Sequence, residues 1–159
     1  MEYTKNTDST YYYKQAGEAN CGSFALRLNE WYEPEEDYDD LYDWLIDMAW
    51  NYDDDDLSNL YADVIVEKIC EDFAGEIEIC DGCAPSTDDK ELIAFATYCI
   101  YDEECGDCYW DFHFKVFRDG IWQHKCGCHK PEFCELDEWG RYISDVTYFY
   151  HKIGVSDEM

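Results

Sequence analysis

A chain of 159 residues, 47% hydrophobic and 18% aromatic, has ample material for a core, so its composition excludes intrinsic disorder. Its 39 Asp and Glu against 11 Lys and Arg leave a formal charge of −28, a field that repels nucleic acid and acidic membrane surfaces. That field suits a basic partner, imitation of a nucleic-acid backbone, or solubility alone.

Residues 1–20 show no clear period. Phe24, Leu26, Leu28 and Trp31 predict a helix that begins at Cys21, with Asn20 as its N-cap and Pro34 ending or separating it. Leu41, Trp44, Leu45, Met48 and Ala49 fall at helical spacing and predict a second helix over 35–52. The acidic run 53–56 reads as a break whose carboxylates suit the start of a third helix, 57–73, stopped by Gly75. It lacks the spaced ligands and glycine of a calcium loop. Trp31, Trp44, Trp50 and Tyr61 read as core packing.

The period then changes. Residues 76–79 alternate as a short strand, and 81–90 form a loop around Gly82, Pro85 and Ser86. Residues 92–100 are nearly all apolar and predict a central buried strand. A turn over 103–108 leads to a hairpin, 110–127, in which Asp119-Gly120 suits a two-residue type I′ turn. That turn sets Arg118 opposite Ile121, Lys115 opposite His124 and His113 opposite Cys126. Phe112, Phe114 and Val116 then line the core face, with His113, Trp122, His124 and Cys126 on the other. Asp111 and Gln123 are read as lying away from His113. Residues 126–138 read as a loop, and 142–151 as a last strand through Ile143, Val146, Tyr148 and Tyr150. Helices first and strands second predict an α+β fold, N-terminal helices packed on a C-terminal antiparallel sheet. One domain, 1–159, is expected, with a mainly helical half (1–75), a sheet half (76–153) and a tail (154–159).

Residues 1–14 are polar, with no apolar leader, and no apolar run reaches membrane-spanning length, so a cytoplasmic protein is expected. The ten cysteines are then expected as thiols, metal ligands or a nucleophile, not as disulfides. Cys21 at a helix start is the candidate nucleophile, since the helix dipole favours a thiolate there. His113 on the sheet is the candidate base, able to take the thiol proton and return it to a leaving group.

Asn20-Cys21-Gly22-Ser23-Phe24-Ala25 resembles the Asn-Cys-x-x-Tyr-Ala segment of small papain-like proteins of bacteria and their phages. Asp111-Phe112-His113-Phe114, followed by Asp119-Gly120-x-Trp122-x-His124-Lys125-x-Gly127, is similar to that group's histidine hairpin. The chain departs from its pattern at Gln123 and Cys126. The resemblance implies a papain-like fold and a Cys–His pair in a bacterial or phage-infected cell. His124, diagonal to His113, is the first choice to orient the imidazole. Gln15, six residues before Cys21, stands where papain-like enzymes place an oxyanion-hole glutamine.

Cys80-x-x-Cys83 and Cys105-x-x-Cys108 have the bite of a tetrahedral ion, so a structural zinc site is one reading and reduced loop thiols the other. Cys126, Cys128, His129 and Cys134 form a second, less regular group. The leading expectation is a thiol hydrolase, a cysteine peptidase or isopeptidase that needs no cofactor for catalysis. It would act on a basic protein or peptide, without binding nucleic acid directly or engaging a membrane. The rival is a non-catalytic acidic protein, such as a phage-encoded nucleic-acid mimic, whose partner is a basic nucleic-acid-binding defence protein.

Overall fold

A computed structural model describes residues 20–28, 32–34, 40–81, 90–118, 120–125 and 132–152. Three helices, α1 (Cys21–Leu26), α2 (Leu41–Ala49) and α3 (Asp54–Asp72), precede six strands. These are β1 (Ile77–Cys80), β2 (Lys90–Asp102), β3 (Asp107–Arg118), β4 (Ile121–His124), β5 (Glu132–Phe133) and β6 (Thr147–Lys152). The strands form one antiparallel sheet in the order β1-β6-β2-β3-β4-β5. The α+β expectation therefore holds. Among the described residues no helix is long and apolar enough to cross a membrane.

The helices cover one face of the sheet. Phe95, Phe112, Phe114, Val116 and Phe149 are buried there with Leu26, Tyr61 and Ile65 of the helices. Gly22 lets α1 approach closely, because a Cβ at that position would meet Cε1 of Phe114 at 3.0 Å and Cδ2 of Tyr32 at 3.2 Å. The far end of α1 is held by charge. Arg118 donates to the carbonyls of Phe24 (3.1 Å) and Ala25 (3.2 Å) and to both oxygens of Glu91 (2.7 Å each). Arg27 pairs with the same carboxylate through two bonds, 3.1 and 2.9 Å. Burial alone would raise the Glu91 carboxyl, but the two guanidinium partners outweigh it and hold the group below its ordinary value.

Several boundaries differ from expectation. α1 stops at Leu26, well before Pro34, because Arg27 takes the left-handed conformation (φ 58°) to reach Glu91. α3 begins inside the acidic run: Asp53 caps it by accepting from the backbone N–H of Asp56, and the next three aspartates fill its first turn. Trp50 is 76% exposed, its ring tilted against Tyr101 with centroids 6.3 Å apart, and is not core. Residues 132–133, inside the expected loop, pair with β4. The last strand starts at Thr147, and 142–146 carry no strand.

Two serines explain that late start. β6 accompanies β2 as far as the pair Phe95–Thr147. Beyond it Ser144 exchanges two hydrogen bonds with the backbone of Thr97, 2.9 and 3.0 Å. Ser58 of α3 does the same for Cys99, 2.8 and 3.2 Å. Two serine hydroxyls and the Ser144 N–H thus replace a neighbouring strand and leave residues 134–146 to cross the other face of the sheet.

Candidate thiol–imidazole site

Asn20 builds the start of α1 and links it to a distant stretch of chain. Its Oδ1 accepts from the backbone N–H of Ser23 (2.9 Å), the Ser23 hydroxyl (2.8 Å) and the N–H of Tyr32, while its Nδ2 donates to the Tyr32 carbonyl (2.7 Å). Cys21, the first helical residue, is 7% exposed. At six residues the helix contributes little dipole, so the setting of the thiol comes mainly from its neighbours. Its Sγ lies 3.8 Å from the carbonyl oxygen of Phe112, the residue before His113.

The hairpin register is as expected: Arg118 faces Ile121, Phe117 faces Trp122 and Val116 faces Gln123. Gly120 has φ 81°, as the turn demands; Asp119 and Cys126 lie outside the described residues. Since Phe112 and Phe114 enter the helix-side core, His113 between them projects from the opposite face. Cys21 therefore comes from the helix side and His113 from the far side. Cys21 meets β3 at the Phe112 carbonyl, and His113 follows on a stretch that lies beyond the pairing of β3 with β4.

On that far face Nε2 of His113 is 2.8 Å from Nδ1 of His124. The Tyr142 ring stacks on the His113 ring, with centroids 5.2 Å apart and planes 19° apart, and Trp139 meets it edge-on at 6.3 Å. Burial first, then the charges of His124, Lys115 and Arg141, push the His113 imidazole down to about 3. Burial also lowers His124, with Lys115 adding to the effect and Glu132 opposing it. Burial pushes the Tyr142 phenol up to about 12, Arg141 works against this, and Asp111 and Cys21 add to it. The Tyr142 phenol thus feels the Cys21 thiol while its ring stacks on the His113 imidazole.

Asp111 belongs to this site, a correction to its expected placement. It is two residues from His113 on one strand and so shares its face. Its Oδ2 accepts from Arg141 (3.2 Å) and from the Tyr142 hydroxyl (3.4 Å). Gln123 does point to the core, where its Nε2 donates to the Arg118 carbonyl at 2.7 Å. The i, i+2 rule alone places Asp111 correctly. Tyr142 and Lys115 gave no local signal, because both act through a segment whose course depends on tertiary contacts. Gln15 lies outside the described residues.

The cysteine motifs are spread out. The pairings set Cys80 level with Ala94 on β2, whereas Cys108 faces Tyr101, seven residues further along. At about 3.3 Å per residue that is ~23 Å, so Cys80 and Cys108 do not meet. Cys108 packs in the core near Cys99, exposed Cys105 contacts the Tyr109 hydroxyl at 3.4 Å, and Cys83 lies outside the described residues. So do Cys126, Cys128 and His129. Among the described residues no group of three or more His, Cys, Asp or Glu is placed to hold a metal ion.

Compared with models of known protein families, with curated proteins and with solved structures, the chain finds no match in any of the three.

Proposed function

We propose that this chain is a papain-like thiol hydrolase, a cysteine peptidase or isopeptidase, with Cys21 as nucleophile and His113 as general base and acid. The observation that carries the reading is one cluster: a thiol at a capped helix start, 3.8 Å from the residue before a histidine that is itself bonded to a second histidine. With Nε2 of His113 engaged by His124, proton exchange with the thiol falls to Nδ1. That requires His124 to accept at Nδ1 and carry its own proton on Nε2. His113 is neutral at rest, and the negative charge that develops on sulfur raises its basicity as the proton moves.

The chemistry follows. The Cys21 thiol gives its proton to His113, and sulfur adds to the substrate carbonyl. His113 returns the proton to the departing amine, leaving a thioester. Water, deprotonated by His113, then releases the acid and restores the thiol. Gln15 is the candidate oxyanion donor. The negative field favours a basic protein or peptide substrate.

Iodoacetamide footprinting at neutral pH tests this. Cys21 should be alkylated faster than exposed Cys105, and His113→Ala should abolish the difference. Equal rates in the parent protein would sink the reading.

A second reading is supported by Asp56, Asp63, Glu67 and Glu71, all exposed at helical spacing on α3. Such a stripe suits a non-catalytic mimic of nucleic acid that occupies a basic defence protein. The parent protein, and not a variant with Asn and Gln in the stripe, would then displace duplex DNA from a DNA-binding protein.

A further inference from the structure

The face that carries His113 is crossed by residues 134–146, which contain no helix or strand. One end of this segment is gathered by Lys115, two residues along β3 from His113 and only 1% exposed. Its Nζ donates to the carbonyls of Glu135 (2.5 Å), Leu136 (3.4 Å) and Glu138 (2.5 Å), and it lies 4.2 Å from the centre of the Trp139 ring. The other end is fixed by Ser144 on Thr97, and by Asp145, whose N–H donates to Asn59 at 2.7 Å. Between these fastenings sits Tyr142, flat on His113.

A buried ammonium is strongly unfavourable unless its donors are met. Here one short turn supplies all three carbonyls, so the burial of Lys115 and the course of the turn require each other. The bond to His124 fixes one nitrogen of His113 but leaves the ring able to tilt about that axis. A second ring at a 19° interplanar angle removes that freedom and keeps water from the imidazole.

We propose that Tyr142 is the positioning residue of His113, and that Lys115, by gathering the carbonyls of residues 135–138, fastens the segment that carries it. The effect on rate rests on the reading of Cys21 and His113 as a reacting pair; the placement of the imidazole does not. The charged and titratable groups around His113 are Lys115 of β3, His124 of β4 with Glu132 of β5 beyond it, and Arg141 and Tyr142 of the segment, with Asp111 of β3 and Cys21 of α1 acting on Tyr142.

The test uses the full chain and two readouts: the NMR titration of His113, and Cys21 alkylation by iodoacetamide across pH. Tyr142→Phe keeps the ring and should leave the titration in place and the rate within about twofold. Tyr142→Leu should move the His113 titration up towards 6.5 and slow alkylation at pH 7 about tenfold. Lys115→Met should shift both readouts the same way; if that variant does not fold, Tyr142→Leu alone decides. An unchanged His113 titration in Tyr142→Leu overturns the proposal. If Tyr142→Leu moves the titration while parental Cys21 reacts no faster than Cys105, the positioning stands and the hydrolase reading fails.

Discussion

His113 and His124 are joined through Nε2 and Nδ1 at 2.8 Å, so the tautomer of one ring dictates that of the other. If His124 donates, the single N–H proton of neutral His113 sits on Nδ1, and that nitrogen cannot act as a base. If His124 accepts, Nδ1 of His113 is ready to receive the thiol proton. An amide side chain can also accept through its oxygen. His124→Asn should therefore retain more of the Cys21 alkylation rate than His124→Ala, with the alanine variant about ten- to a hundredfold slower than parent. Equal losses in the two variants would show that orientation by an acceptor is not what His124 supplies.

Acid stability follows from the same burial. The folded His113 value is depressed to about 3 from the ordinary 6.5, so the unfolded chain binds the proton first as pH falls. The contribution of neutral His113 is therefore intact above about 6.5 and is lost progressively towards 3. Over that window one proton changes stability by up to about 1.4 kcal/mol per pH unit. Relief of the −28 charge works in the opposite direction, so the comparison must be with His113→Gln. Urea unfolding at pH 7, 6 and 5 should show a steeper loss in parent than in this variant.

Glu91 is the only carboxylate shown bridging Arg27 and Arg118 among the described residues. Glu91→Gln leaves two guanidinium groups in a buried place without their counter-charge, and should destabilise the protein by about 3–5 kcal/mol. Arg27→Met removes one of two partners and should cost less. Urea midpoints for the two variants check the order, and a smaller loss for Glu91→Gln would contradict it.

Gly22→Ala tests the seating of α1. The added methyl falls 3.0 Å from Phe114 and 3.2 Å from Tyr32, both fully or nearly fully buried rings. Neither ring has room to retreat cheaply, so a loss of about 1–3 kcal/mol is expected in thermal or urea unfolding. Since Gly22 adjoins Cys21, slower alkylation should accompany it.

What was legible in the sequence was local. Gly120 and its turn set the pairing of Arg118 with Ile121, and with it the face of His113. Asn20 announced the helix start because a cap is a bond between residues three apart. The left-handed Arg27 was hidden, since its reason sits at Glu91, 64 residues away. The alternation of 142–151 imitated a strand throughout, but Ser144 ends the pairing by bonding Thr97 itself. The burial of Lys115 was hidden, because the segment that covers it leaves no periodic trace. Asp111 was legible and misread, because residues two apart on a strand share a face.

α1 has six residues and its terminal carbonyls are collected by Arg118. A helix this short has no stability of its own in water. On the ribosome, Cys21 emerges well before the strand that shapes its surroundings, residues 107–118. The segment with Tyr142 comes later still. If the chain is a thiol hydrolase, its nucleophile stays unassembled during synthesis, and the nascent protein cannot cleave itself or its neighbours before the fold closes.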